Sequence, residues 1–283
     1  VSVRAVCRVL LGTITPAALF SAAAPAQDPA PTEDVIVTAR ERTVVEQFLQ
    51  DVADPTRTGQ VPVWEQKICP AVIGMEDSKA AVLAERIGQV AALVDLQAKP
   101  GCRTNTLVIV SGEAKALSEG IARRFAVRLR TEGRSRVTKF GASDRPVRWI
   151  SQTDIGTGDG SPLIGGPNEP RVGRMSGSRL KASTRTMIHT MLIVVDVNQV
   201  VGTSLGALGD YLGMVAVARP APERHAPSAS ILSMFDRPDA PRAVTDHDRA
   251  YLTALYHAPM GATGQIQRST MRARMEKEGD AAE

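Results

Sequence analysis

The run Gly202-Thr203-Ser204-Leu205-Gly206 fits the G-x-S-x-G pattern in which a strand-to-helix turn presents a serine nucleophile. Such a serine needs an imidazole to take its proton and a carboxylate to orient that imidazole. Asp210 or Asp236, then His225, His247 or His257, follow in the Ser–Asp–His order, and Ser204, Asp236 and His257 form the candidate triad. A plainer role competes. Asn198 and Gln199 interrupt the strand before the turn, only 79 residues follow Ser204, and Thr203 or Ser204 can cap a helix beginning near Leu205.

The remaining polar residues suggest less chemistry. The four histidines form no HExxH, and His247 and His257 are too far apart to share a helix-face metal site, so no metal is expected. His189 is expected on the strand face of Met187, Met191, Ile193 and Val195. Asp154 and Asp196 each end a strand candidate, which admits a two-carboxylate site only if the fold brings them together. Gly156–Gly166 lacks the Lys-Ser/Thr ending of a phosphate loop, and the glycines near 202–209 lack the dinucleotide fingerprint, so no cofactor is expected. Cys69 and Cys102 can pair as a disulfide or remain separate thiols; neither CxxC nor zinc-finger spacing is present.

Charge supplies the second candidate site. From Arg123 to Arg185 there are 14 Lys/Arg and five Asp/Glu, and the ligand-binding candidates there are Arg123, Arg124, Arg128, Arg130, Arg134 and Arg136. A solvated face balancing an acidic remainder is the competing reading. Two Trp, three Tyr and five Phe in 283 residues weigh against a stacking surface for single-stranded nucleic acid.

These residues must be positioned by elements that the pattern partly defines. Arg4 and Arg8, an apolar run over Leu10–Ala24 and the small residues around Ala26 read as a cleaved export signal, 1–26. Its removal lowers the net charge from +4 to +2, and a periplasmic or secreted location follows. No later stretch has the unbroken apolar length of a membrane span. In an exported protein the basic region points to an anionic envelope component or an acidic protein partner rather than nucleic acid.

Residues 27–60 read as a flexible lead and a short helix over Glu41–Val52, 61–260 as the main domain, and 261–283 as a basic, solvent-facing helical tail. Helices are expected over Glu76–Lys99, capped by Asp77 or Ser78, and over Glu113–Arg130 and Leu205–Ala218. A further helix over Thr245–His257 carries the capping pair Thr245 and Asp248. Strands are expected over Thr106–Val110, Val147–Asp154 and Met187–Val197, the last apolar on both faces and therefore central. Ile155–Gly177 reads as a long Gly/Pro/Ser-rich loop. The fold class is α/β or α+β: a mixed central sheet packed by several helices.

Two resemblances accompany this reading. VIVTAR after its acidic lead resembles the N-terminal box of outer-membrane receptors over Glu33–Arg40, with an edge strand as the competing reading. Cys69-Pro70, TNTLVIVSGEAKAL at 104–117, MLIVVDVNQVVGTSLGALGDYLGMVAVA at 191–218, SILSMF at 230–235 and TDHDRAYLTALYHAP at 245–259 resemble uncharacterised exported proteins of alphaproteobacteria. Their order is similar to the catalytic half of zincin metalloproteases. A zincin would carry HExxH where this chain has Ala207-Leu208-Gly209-Asp210-Tyr211, so the resemblance implies a zincin-like arrangement without its metal ligands. The expected function is a non-enzymatic envelope-associated binding domain; the alternative is a serine hydrolase using Ser204.

Overall fold

The computed structural model describes residues 33–98, 101–126, 133–157, 182–222, 224–259 and 261–280. Its centre is strand β5 (Thr184–Asp196), whose Ile193, Val194 and Val195 have no exposed surface. Burial on both faces is what an almost continuous apolar run requires. β5 pairs in parallel with β1 (Val63–Trp64) and β3 (Thr106–Ser111), and antiparallel with β4 (Val147–Thr157). β2 (Pro70–Ile73) adds in parallel to the outer side of β3. This is a mixed sheet flanked by helices, as the pattern indicated.

One face meets α2 (Asp77–Ala92) and α5 (Leu205–Ala218), with α1 (Glu33–Val52), α6 (Asp246–Tyr256) and α7 (Gly264–Asp280) completing the main core. Residues 207–218 of α5 are all buried. Its Gly209-x-x-x-Gly213 pair lets α2 approach closely. A Cβ on Gly209 would lie 2.5 Å from Arg86 Cβ, and one on Gly213 2.6 Å from Val90 Cγ2. Asp210 reaches past this contact to Arg86 at 2.7 Å.

The last carbonyls of α5 lack intrahelical partners, and aromatic side chains supply them. Trp64 Nε1 donates to the Ala216 carbonyl at 2.8 Å, and Tyr256 Oη to that of Val217 at 3.0 Å. Arg219 then turns left-handed at φ 48° and buries its guanidinium against Asp54 Oδ2 (3.0 Å) and Ser151 Oγ (2.6 Å).

Thr245 and Asp248 form the expected capping box of α6. Asp248 also accepts from the Ile231 N–H (2.9 Å) and Ser230 Oγ (2.5 Å), which fixes the short 3₁₀ turn Ile231–Ser233 against the helix. Burial pushes the Asp248 carboxyl above its usual range, although these hydrogen bonds pull the other way.

Several expectations are corrected. VIVTAR is neither strand nor extended box but the first turns of α1. A lone strand leaves its backbone unpaired, whereas a helix satisfies its own. α7 is not merely solvent-facing: Met271 and Met275 are buried, and the Gln267 amide bonds the backbone of Val61 in both directions at 2.7 and 2.9 Å. α2 stops at Ala92, before a turn in which Asp95 has φ 57°, and Glu76 occupies its N-cap without a side-chain bond. The helix expected over Glu113–Arg130 is α3 (Ala114–Arg124), and α4 (Arg134–Ala142) was not anticipated. Residues 1–26, and all of the long loop beyond Thr157, lie outside the described residues.

Candidate functional site

Ser204 N-caps α5: its Oγ accepts from the Ala207 N–H at 3.2 Å. Asp236 instead faces Arg145, at 3.1 and 3.2 Å, and His257 Nδ1 lies 2.9 Å from the Thr253 carbonyl of its own helix. Among the described residues no hydrogen bond joins Ser204, Asp236 and His257. His247 stacks on Phe48 at 6.1 Å, and Asp210 is held by Arg86.

Asp154 and Asp196 stand toward opposite ends of the antiparallel β4–β5 pair, since Asp154 pairs with Met187 while Asp196 closes β5. Nine residues of strand separate those levels, about 30 Å. Asp196 caps the following turn by accepting from the Asn198 N–H and Gln199 Nε2. No group of three or more His, Cys, Asp or Glu able to hold a metal occurs among the described residues.

His189 requires a correction with consequences for the site. Gln152 pairs with Thr190 and Thr153 with Ile188, which leaves His189 as the extra residue of a β-bulge. Ile188 and Met191 both belong to the main core, so His189 and Thr190 together turn to the opposite face. His189 is therefore not on the face of Met191, Ile193 and Val195. Its Nδ1 lies 3.5 Å from Asp154, with both side chains about half exposed.

That second face is covered only in part. On β3, Thr106, Val108 and Val110 are buried in the main core, whereas Leu107, Ile109 and Ser111 turn to the second face and are half-buried. Among the described residues, only α3 and α4, of 11 and nine residues, lie over this side, around the small cluster Ala114, Val137, Phe140, Ile150 and Val194. Beside them an apolar groove of about 600 Å³ stays open, lined by Leu107, Ile109, Leu117, Ile121, Phe125 and Leu192. Phe125, at the end of α3, is 39% exposed.

The basic residues lie on the other side of α3. Arg123 from α3 and Arg134 from α4 line a second recess of about 620 Å³, floored by Ala122, Ala126, Gly141 and Ala142. The small residues permit the helix contact: a Cβ on Gly141 would meet Ala122 Cβ at 2.8 Å. Glu119 also lines this recess and sits 3.6 Å from Arg123, an exposed pair worth only a few tenths of a kcal/mol. Arg124 is exposed beside them.

Arg136 does not belong to the group: it forms a two-pronged pair with Asp54, with Nη2 2.7 Å from Oδ1, and ties α4 to the chain after α1. Its numbering among basic neighbours concealed a structural role. Lys115 is likewise engaged, with Asp144 at 2.6 Å, and that contact holds the Asp144 carboxyl below its usual range. Arg128 and Arg130 lie outside the described residues.

Cys69 and Cys102 are within disulfide distance, their Cα atoms 5.8 Å apart, and bring together the chain entering β2 and the chain approaching β3. No helix among the described residues is long and apolar enough to cross a membrane. No protein-family model matches the chain, and no match was found among curated proteins or solved structures.

Proposed function

We propose that this chain is a non-enzymatic, envelope-associated binding domain of an exported protein, and that its ligand is anionic. The observation that carries this reading is that Arg123 and Arg134, from two helices, line one recess among small residues, with Glu119 beside Arg123. Paired guanidinium groups suit phosphate and carboxylate because their N–H forks match those oxygens. The export-type N-terminus and the zincin-like resemblance without metal ligands belong to the same reading, supported by the sequence stretches that carry them.

The hydrolase alternative draws less support, because Ser204 Oγ is occupied as a helix cap and Asp236 faces Arg145. The test is sedimentation with phosphatidylglycerol vesicles against phosphatidylcholine vesicles. Selective binding to the anionic vesicles is expected, with at least a tenfold loss in the Arg123→Glu, Arg134→Glu double variant. Equal binding by variant and parent removes the anion site. Labelling by a fluorophosphonate probe that disappears in Ser204→Ala returns the hydrolase reading.

A further inference from the structure

We infer that the arginine recess and the apolar groove hold two halves of one ligand, an amphiphile with a single acyl chain and an anionic head. This rests on the anion-binding reading above and adds the chemistry of the rest of the ligand. α3 is the wedge between the two sites. Leu117 and Ile121 of α3, with Phe125 at its C-cap, recur every four residues and face the sheet groove, while Glu119, Ala122 and Arg123 face α4. A helix with its side chains is about 10–12 Å across, so apolar and cationic surfaces stand about one helix diameter apart around its last turn.

The groove suits a hydrocarbon chain better than a peptide. Its floor is sheet whose backbone is already paired: β5 bonds β3 on one side and β4 on the other. Three of the four polar residues that line it, Asn105, Gln152 and Thr190, are engaged with one another or with the chain, and the fourth, Thr104, is exposed. Asn105 Oδ1 accepts from the Cys69 N–H and its Nδ2 donates to the Lys67 carbonyl, while Thr190 Oγ1 donates to Gln152. A peptide backbone laid there would find few partners for its amides, and burying them unpaired is costly. A chain of methylenes has no such requirement, and each one buried raises affinity about fourfold.

The experiment compares three probes by calorimetry, below the micelle concentration: palmitoyl lysophosphatidate, glycerol 3-phosphate as its head alone, and monopalmitoylglycerol as its uncharged counterpart. The lysophosphatidate is expected to bind at least tenfold more tightly than either of the others. Leu192→Trp, which fills the groove, should reduce it to the level of glycerol 3-phosphate. Arg123→Glu with Arg134→Glu should reduce it to the level of monopalmitoylglycerol. If Leu192→Trp does not fold, Phe125→Ala at the exposed end of the groove takes its place, with a smaller loss expected.

Equal binding of lysophosphatidate and glycerol 3-phosphate overturns the acyl inference and leaves the anion site standing. Equal binding of lysophosphatidate and monopalmitoylglycerol overturns the pairing of the two recesses. Displacement of the lipid by an acidic peptide of equal affinity also overturns it. Failure of both anionic probes overturns the anion site itself.

Discussion

The two faces of the sheet are built to different standards of closure. Against the first face, α5 is buried over residues 207–218, and glycines on one side of it bring α2 within side-chain stem distance. Over the second face, among the described residues, lie two short helices, and Leu107, Ile109 and Leu192 remain only partly covered. The same strands supply both faces, so the difference comes from the covering layer and not from the sheet. A closed face stabilises the fold through burial and has no room for a ligand, whereas a half-covered face forgoes some of that stabilisation and keeps apolar surface available.

Substitutions at four positions can break or sharpen this contrast. The largest loss is expected at the closed face's polar anchor. Arg219→Met leaves Asp54 buried with Arg136 as its remaining charged partner, and should cost about 4 kcal/mol in urea unfolding. Arg219→Lys should recover part of that loss, since it keeps the charge without the fork.

Asp248→Ala should cost about 3 kcal/mol, because the N–H groups of Ile231 and Thr245 and the Ser230 hydroxyl lose their common acceptor. Its pH dependence has a definite sign. Burial raises the folded-state pKa above the unfolded one, so the folded protein holds the proton more tightly. That contribution is complete below the unfolded carboxylate pKa and is lost as pH rises through the folded value. Asp248→Asn does not titrate, so parent stability should fall relative to this variant as the pH rises, read from urea midpoints between about pH 3 and 7. A parallel pH response in both proteins would remove Asp248 as the source.

Gly213→Ala tests the closed face directly. The new methyl meets Val90 at 2.6 Å, and overpacking should outweigh the gain in helix propensity by about 1–2 kcal/mol. Leu192→Ser on the second face should cost less, about 1 kcal/mol, because its side chain is already partly in water. A loss of 3 kcal/mol there would mean that the second face is as closed as the first.

The parts of this architecture that could be read from the chain are those decided within a few residues. β5 declares itself through the apolar run Met191–Val195, α5 through an apolar helix bounded by Ser204 and the turn at Arg219, and α6 through its Thr245–Asp248 cap. α4 is harder to read because RSRVTKFGA is short and mostly polar, and its Val137 and Phe140 find burial only beneath α3 and beside β4. Of the candidate site, basic character around Arg123 and Arg134 was legible, but the division of labour was not. Arg134 and Arg136 are two residues apart, yet one lines an open recess and the other is locked to Asp54, 82 positions away.

His189 marks the boundary between the two kinds of information. Strict alternation along Met187–Val195 assigns it to the core face, and only the pairing of β4 with β5, which skips one residue, turns it outward. Sequence alone determined part of the local choices: the central strand, the helices α5 and α6, where α6 is capped, and where positive charge gathers. Their reason is backbone geometry and side-chain patterning over a few turns. The tertiary structure decided strand register, which arginines are engaged, and which face of the sheet is left half-covered. Those depend on residues far apart in the chain competing for the same partners, and no short stretch contains both competitors.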